Sequence, residues 1–349
     1  MKAFEAILPF LRPVEHLILD PDISEVMVNG NGLIFVEQRG CLREIEGVFI
    51  DEESLQIAVK NIARRLKDDI SDERPLLNSR LPDGSRVAAV LSPVSIGGTS
   101  LTIRKFPTQV YSAEDLVGMG TMPRHVLEML SRAIRDHKNI LISGGTSSGK
   151  TTTLNALASL IDPGERIVLI EDTSELRLDH RNLVRFEARR AQSSDIAAVT
   201  IRDLVKATLR HRPDRILLGE VRGGEAFDLL QALNTGHSGT LATIHANTAS
   251  QAITRFVTCV LQGDVDIPFR AIRSSIGDSM DLLLQTVRWR RWRLVTELVE
   301  IAGYDQAEDT FHLRTLYRRQ PDEYPQEEGA LGLAASAVAG VGSGVSLAQ

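Results

Sequence analysis

A lysine, a threonine hydroxyl and a handful of carboxylates set the chemistry open to this sequence. Lys150 and Thr151 end the stretch Gly144-Gly145-Thr146-Ser147-Ser148-Gly149-Lys150-Thr151, which is a G-x-x-x-x-G-K-[ST] loop. Gly144 and Gly149 let the backbone turn tightly and bring N–H groups onto phosphate oxygens. Gly145, Thr146, Ser147, Ser148 and Thr152 complete the phosphate-binding set. Lys150 is suited to reach the β/γ-phosphates, and the Thr151 hydroxyl to ligate Mg²⁺. The expected ligands are a nucleoside triphosphate and Mg²⁺.

Two carboxylates suit hydrolysis of that ligand. Glu220 follows the apolar run Ile216-Leu217-Leu218 and is placed like the acid that holds Mg²⁺, usually through water. Glu175 is suited to orient or deprotonate an attacking water, and Glu171 and Asp172 compete for either role. Each of these has a plain alternative as a helix cap or an arginine partner. His245 fits γ-phosphate sensing, a bond to Glu220, or a purely local bond. Arg86, Arg104, Arg210 and Arg212 are the candidates for stabilising charge on a transferring phosphoryl group. The run Arg288-Trp289-Arg290-Arg291-Trp292-Arg293 mixes cations and aromatics, yet bridges two predicted strands, so it reads as a solvated hairpin tip with cation–π packing.

The elements that must carry these residues can be read around them. Asn139-Ile140-Leu141-Ile142-Ser143 is an apolar strand leading into the loop, and a helix starts at Thr151. Short apolar runs at 167–170, 183–186, 215–218 and 240–244 alternate with helices, which predicts a mostly parallel sheet. In such sheets ligands bind beyond the carboxyl ends of the strands, where Glu171, Glu175, Glu220 and His245 fall. A hairpin over 282–299 follows. Ahead of the loop, 1–106 reads as a small α+β domain. It has a hairpin over 23–37, a helix capped by Asp51, and strands at 87–91 and 100–105. Residues 107–122 read as a linker containing a helix capped by Ser112 and Asp115, 123–319 as the nucleotide domain, and 320–349 as a disordered tail.

At 349 residues two domains are the prior, and 43% apolar composition fills real cores. The net charge of −6 weighs against a surface built to grip nucleic acid. Cys41 and Cys259 are far apart and fit a reducing cytoplasm. The apolar residues near the N-terminus are broken by Pro9, Arg12, Pro13 and Glu15, so no signal peptide is expected. No apolar stretch is long enough to span a bilayer, so the expected membrane link is through a partner or the surface.

Six ordered motifs together resemble the type II/IV secretion-system ATPases. They are Leu-Pro-Asp-Gly-Ser-Arg at 81–86, Leu-Thr-Ile-Arg-Lys-Phe at 101–106, the loop at 144–151, Glu-Asp-Thr-Ser-Glu-Leu at 171–176, Arg-Pro-Asp-Arg-Ile-Leu-Leu-Gly-Glu at 212–220 and Gly-His-Ser-Gly-Thr-Leu-Ala-Thr-Ile-His-Ala-Asn at 236–247. The likeness runs from about Asp22 to Leu316 and is strongest to the CpaF (TadA) branch of Tad/Flp pilus ATPases, with TrbB-type conjugal transfer ATPases next. It implies a RecA-like P-loop ATPase domain after a smaller PAS-like α+β domain that folds over the nucleotide. It also implies a homohexamer in the cytoplasm, docked peripherally on an inner-membrane platform protein, with no direct nucleic-acid partner. Glu175 falls at the catalytic carboxylate of the acidic box, Glu220 at the Walker B acid and His245 in the histidine box. Arg86 and Arg104 fall where first-domain arginines approach the phosphates. Ser147 stands where this branch usually has glycine, and the chain starts almost directly at the first domain. A nucleic-acid motor of RecA type and a non-hydrolysing regulator are the rival readings.

Overall fold

The computed structural model describes residues 4–30, 32–38, 40–46, 51–106, 110–189, 197–264 and 266–325. Short 3-10 turns lead to α1 (Glu15–Leu19), then β1 (Ile23–Val28), β2 (Ile34–Gln38), β3 (Cys41–Ile45), α2 (Glu52–Arg65), β4 (Leu76–Arg80), β5 (Arg86–Val90) and β6 (Ser100–Arg104). Asp51 starts α2 by accepting the Ser54 N–H at 2.9 Å. Leu55, Val59 and Ile62 then fall on one helix face and pack on Val26, Val36, Val87 and Ile103 of the sheet. The six strands are all antiparallel, in the order β3-β2-β1-β6-β5-β4. Cross-strand partners share a face, so the register lines up Glu37, Glu25, Arg104, Arg86 and Arg80 as one charged row across five strands. That row turns toward the second sheet.

The second part contains α3 (Ala113–Gly118), α4 (Arg124–Arg135), β7 (Ile140–Gly144), α5 (Lys150–Ala158), β8 (Ile167–Glu171), β9 (Leu183–Glu187), α6 (Ile201–Thr208), β10 (Arg215–Val221), α7 (Glu225–Asn234), β11 (Leu241–His245), α8 (Ala249–Leu261), α9 (Phe269–Ser279), β12 (Leu282–Trp289), β13 (Trp292–Asp305) and β14 (Thr310–Arg318). Its eight-stranded sheet has the order β14-β13-β12-β7-β11-β10-β8-β9. The stretch from β12 to β9 is parallel, and β13 and β14 add an antiparallel meander. Helices cover both faces, which is why the central strands read as unbroken apolar runs. Leu141, Val168, Ile170, Ile216 and Leu218 pack against α6–α9, while Ile140, Ile142, Ile167, Leu169 and Leu217 pack against α3–α5. This is the expected α/β architecture: a RecA-like domain behind a small α+β domain. Among the described residues no helix is long and apolar enough to cross a membrane.

Some expectations shift. Ala113, Leu116 and Met122 pack into the core beneath α5, so the second half of the expected linker belongs to the nucleotide domain; residues 107–109 lie outside the described residues. Residues 320–325, expected to be disordered, have a defined structure. Gln320 and Glu323 cap a 3-10 turn, and Tyr324 sets its ring edge-on to Trp289 at 5.1 Å, while 326–349 lie outside the described residues. Arg210 and Arg212 precede the first residue of β10, at the end of the sheet away from the phosphate loop of their own chain.

Arg215 ties that far end together. It is 1% exposed and donates to the Glu165 carboxylate and, at 2.7 Å, to Ile134 O. Arg215→Ala strips the Glu165 carboxylate of its buried guanidinium partner, so a loss of about 3 kcal/mol is expected. Urea unfolding should show it as a lower midpoint with an unchanged slope.

Candidate active site

The parallel register brings the chemistry to one level. Gly144 at the end of β7 is paired with His245 of β11 on one side and Thr286 of β12 on the other. Gly144 is required there by close approach: a Cβ would lie 2.3 Å from Ser148 Oγ and 2.4 Å from Thr286 Oγ1. Those two hydroxyls are 3.0 Å apart, and Thr286 Oγ1 also donates to Ser143 O at 2.9 Å, so β12 braces the loop from behind. The loop then leaves β7 through Gly145 and Thr146 and turns at Ser147 (φ +56°) and Gly149 (φ +96°) before α5 begins at Lys150. Left-handed geometry costs a residue with a Cβ about 1–2 kcal/mol, so Ser147 is held there against its own preference.

Lys150 is buried, and its Nζ donates to Gly144 O at 3.1 Å and Gly145 O at 2.9 Å. Burial pushes its ammonium below the usual lysine value, against the pull of Glu220. His245 Nε2 lies 3.4 Å from that Nζ and 3.0 Å from Glu220 Oε1. Thr151 is half-buried in the first turn of α5 and Thr152 is exposed beside it.

Glu220 is aimed by a local irregularity. The pairing of β10 with β11 shifts between Leu218 and Val221, and Thr243 Oγ1 fastens the displaced Gly219 O at 2.5 Å. Glu220 Oε2 binds Arg222, which also reaches Asp172 at 2.9 Å, while Glu220 Oε1 is buried and accepts no aligned hydrogen bond.

The acidic box follows β8. Glu171 is 3% exposed, and burial raises its carboxyl against the hydrogen bonds it accepts. Its Oε1 takes the N–H groups of Glu175 at 2.7 Å and Leu176 at 2.9 Å, and Arg185 lies 3.3 Å from Oε2. Both oxygens are thereby occupied, so Glu171 does not reach a reacting group. It fixes the turn that presents Glu175 and has the arginine partner that the sequence left open for it. Asp172 is likewise tied to Arg222.

Glu175 is half-exposed and pairs at 2.7 Å with Arg86 of the first domain. Arg80 joins it across the same boundary, donating to the Glu187 carboxylate and to Ser174 O at 3.1 Å. Arg104 is exposed next to Arg86 in the charged row, and its charge acts on Glu25. The site thus joins both sheets: loop, Glu220 and His245 from one, and arginines from the other.

These positions can be set against known proteins. The model of the type II/IV secretion system protein family matches residues 10–303. The chain belongs to that family. It is 34% identical over 288 residues to the conjugal transfer protein TrbB of Rhizobium radiobacter, covering 82% of this chain and 85% of TrbB. It is 38% identical over 291 residues to the type IV secretion system protein PtlH homolog of Bordetella bronchiseptica, covering 76% and 86%. The X-ray structure of the Legionella pneumophila ATPase DotB shares the fold, with a TM-score of 0.60, 21% identity and coverage of 83% and 79%.

In this secretion-family chain several site residues carried no sequence signal of their own. Arg80, Arg185 and Arg222 look like any surface arginine until the fold supplies their carboxylates. The Arg288–Arg293 run is the expected hairpin tip, exposed from Arg288 to Arg291 with Arg290 over Trp289 and Arg291 over Trp292, and it also bonds to neighbouring segments. β12 and β13 continue through it to a two-residue turn, Arg288 donates to Gly40 O at 3.1 Å, and Arg293 to Ser147 O at 3.1 Å. The strand prediction on either side was the available clue, because pairing the two strands fully would have folded the run back over the loop.

Burial, with the Lys150 ammonium adding to it, lowers His245 below the ordinary histidine value near 6.5, and Glu220 opposes the shift. Below that value the unfolded chain binds more protons than the folded one. Stability therefore rises with pH through the window just under 6.5 and levels off above it. An NMR titration should find the His245 ring midpoint below the ordinary value, and lower still in Glu220→Gln, which removes the opposing charge.

Proposed function

We propose that this protein is an ATP-hydrolysing motor, acting as a homohexamer on the cytoplasmic face of the inner membrane and driving a secretion machine through a platform protein there. The observation carrying this reading is the convergence of Lys150, Glu220 and His245 with a Glu175 already gripped by Arg86 from the other domain. Membership of the family supports the secretion role. The names of its TrbB and PtlH relatives favour a conjugal or type IV secretion machine, whereas the CpaF-like motifs favour a Tad/Flp pilus.

The residues fit a magnesium nucleotide. The carbonyls that Lys150 binds are replaced by β- and γ-phosphate oxygens, which satisfy a buried ammonium better. Thr151 and the unsatisfied Glu220 Oε1, the latter through water, are the groups that would hold Mg²⁺. Bound there, the ion would neutralise charge on the phosphates. Glu175 takes a proton from water as the water oxygen attacks the γ-phosphorus and the β–γ bridging oxygen leaves with ADP. The Glu175 oxygen that Arg86 holds at 2.7 Å is not free to meet a water. Arg86 therefore has to exchange Glu175 for phosphate oxygens, with Arg104 following in the row, and that exchange moves one domain over the other.

Steady-state hydrolysis by the purified chain, with its mass followed in solution, tests the reading. Lys150→Ala and Glu175→Ala should each lower kcat by a factor of about 10²–10⁴, in a particle of hexamer mass indifferent to single-stranded DNA. Strong stimulation by DNA, losing strength as salt rises, would instead favour the nucleic-acid motor.

A further inference from the structure

The phosphate loop contains one residue in a conformation it does not favour, and a distant arginine is bonded to that residue. Ser147 has φ +56°, a region that a side chain with a Cβ rarely adopts. Arg293, which starts far away in β13, donates from Nε to Ser147 O at 3.1 Å. We propose that Arg293 is a positioning residue that holds Ser147 left-handed and so keeps the crown of the loop in its phosphate-binding shape. The inference rests on the loop binding nucleotide.

Arg293 is itself fixed on three sides. Its Nη1 donates to Arg291 O at 2.8 Å across the hairpin turn. Its stem lies along Gly149, where an added Cβ would be 3.3 Å from Arg293 Cγ and 3.4 Å from Arg293 Cβ. Its guanidinium lies against Gly40 of the first domain, where an added Cβ would be 3.2 Å from Nη1, and its register partner Arg288 donates to Gly40 O at 3.1 Å. Arg293 therefore spans the crown, bonding to it before Ser148 and packing on it after. The direction the chain takes at Ser147 decides where the N–H groups of Ser148 and Gly149 point, and successive N–H groups aimed together form the anion cradle. Glycine at 147 would take the same conformation without help. The serine and the arginine thus form a pair, the second compensating for the first. The Nε of Arg293 is engaged with the outer carbonyl of the loop, so it acts through the loop and not on phosphate.

Calorimetric titration of the full chain with ADP and Mg²⁺ tests this, using variants that keep the stem against Gly149. Arg293→Met removes the donor and should weaken ADP binding by about tenfold, ~1.4 kcal/mol. Arg293→Gln puts an N–H at the branch point of Nε and should recover most of the loss. The deciding measurement repeats both in a Ser147→Gly background, where Arg293→Met should cost less than about threefold because the conformation no longer needs holding. An equal loss in the two backgrounds, or no loss in either, overturns the proposal. Melting without nucleotide identifies a variant that has simply lost its fold. If Arg293→Met does, Arg293→Gln compared across the backgrounds decides by the same criterion. A wild-type chain that binds no ADP would overturn the nucleotide reading as well, whereas tight wild-type binding with equal losses sinks this inference alone.

Discussion

An ammonium buried at the start of a helix is electrostatically out of place, because the helix N-terminus already carries partial positive charge. Lys150 sits there, buried, and much of the site can be understood as the response. Two carbonyls of its own loop bend back to it, and Glu220 supplies the opposite charge from the neighbouring region of the sheet. His245 can stand 3.4 Å away because burial and the lysine keep the imidazole neutral. A triphosphate resolves the misplacement more fully than carbonyls do, since it brings formal negative charge to both the lysine and the helix end. The affinity of the loop for phosphate is in this sense the cost of burying Lys150, read in reverse.

That arrangement depends on register more than on any single contact. Gly144, His245 and Thr286 come from three separate stretches of chain, and parallel pairing alone puts them side by side. The irregularity at Gly219 then turns Glu220 toward the lysine, where an undisturbed strand would have continued its alternation. Glu171 does the corresponding work for the acidic box. Its buried carboxylate takes the N–H of Glu175, so the shape of the turn and the placement of the catalytic candidate are one fact.

Much of this was legible in the sequence because the signals are local. The loop motif, the Asp51 and Ser112 caps, the β1–β2 hairpin and the apolar runs of the parallel sheet all declare themselves within a few residues. Three of the four strands at sheet edges did not. β3 is exposed almost throughout, β4 buries only Leu77, and β14 is mostly exposed, so none has the alternation that marks a half-buried strand. Arg80, Arg185 and Arg222 were also hidden, for a different reason. A long cationic side chain finds its partner through tertiary reach, and nothing near Arg222 or Arg293 in sequence announces Asp172 or Ser147. The burial of Glu171 was hidden on the same ground, since two adjacent acidic residues do not reveal which one turns inward.

The charged row of the first sheet has a metric built into it. Arg104, Arg86 and Arg80 belong to adjacent strands, and adjacent strands are about 4.8 Å apart. The cations are therefore graduated like the teeth of a rack, set at the spacing of backbone hydrogen bonds and not at a distance chosen by side-chain length. A slide of the first sheet by one tooth would hand a carboxylate of the acidic box from one guanidinium to the next. Two neighbouring teeth are engaged here, Arg80 on Glu187 and Arg86 on Glu175, so the step between these two cross-domain ion pairs on the first-domain side is that of the β-sheet itself.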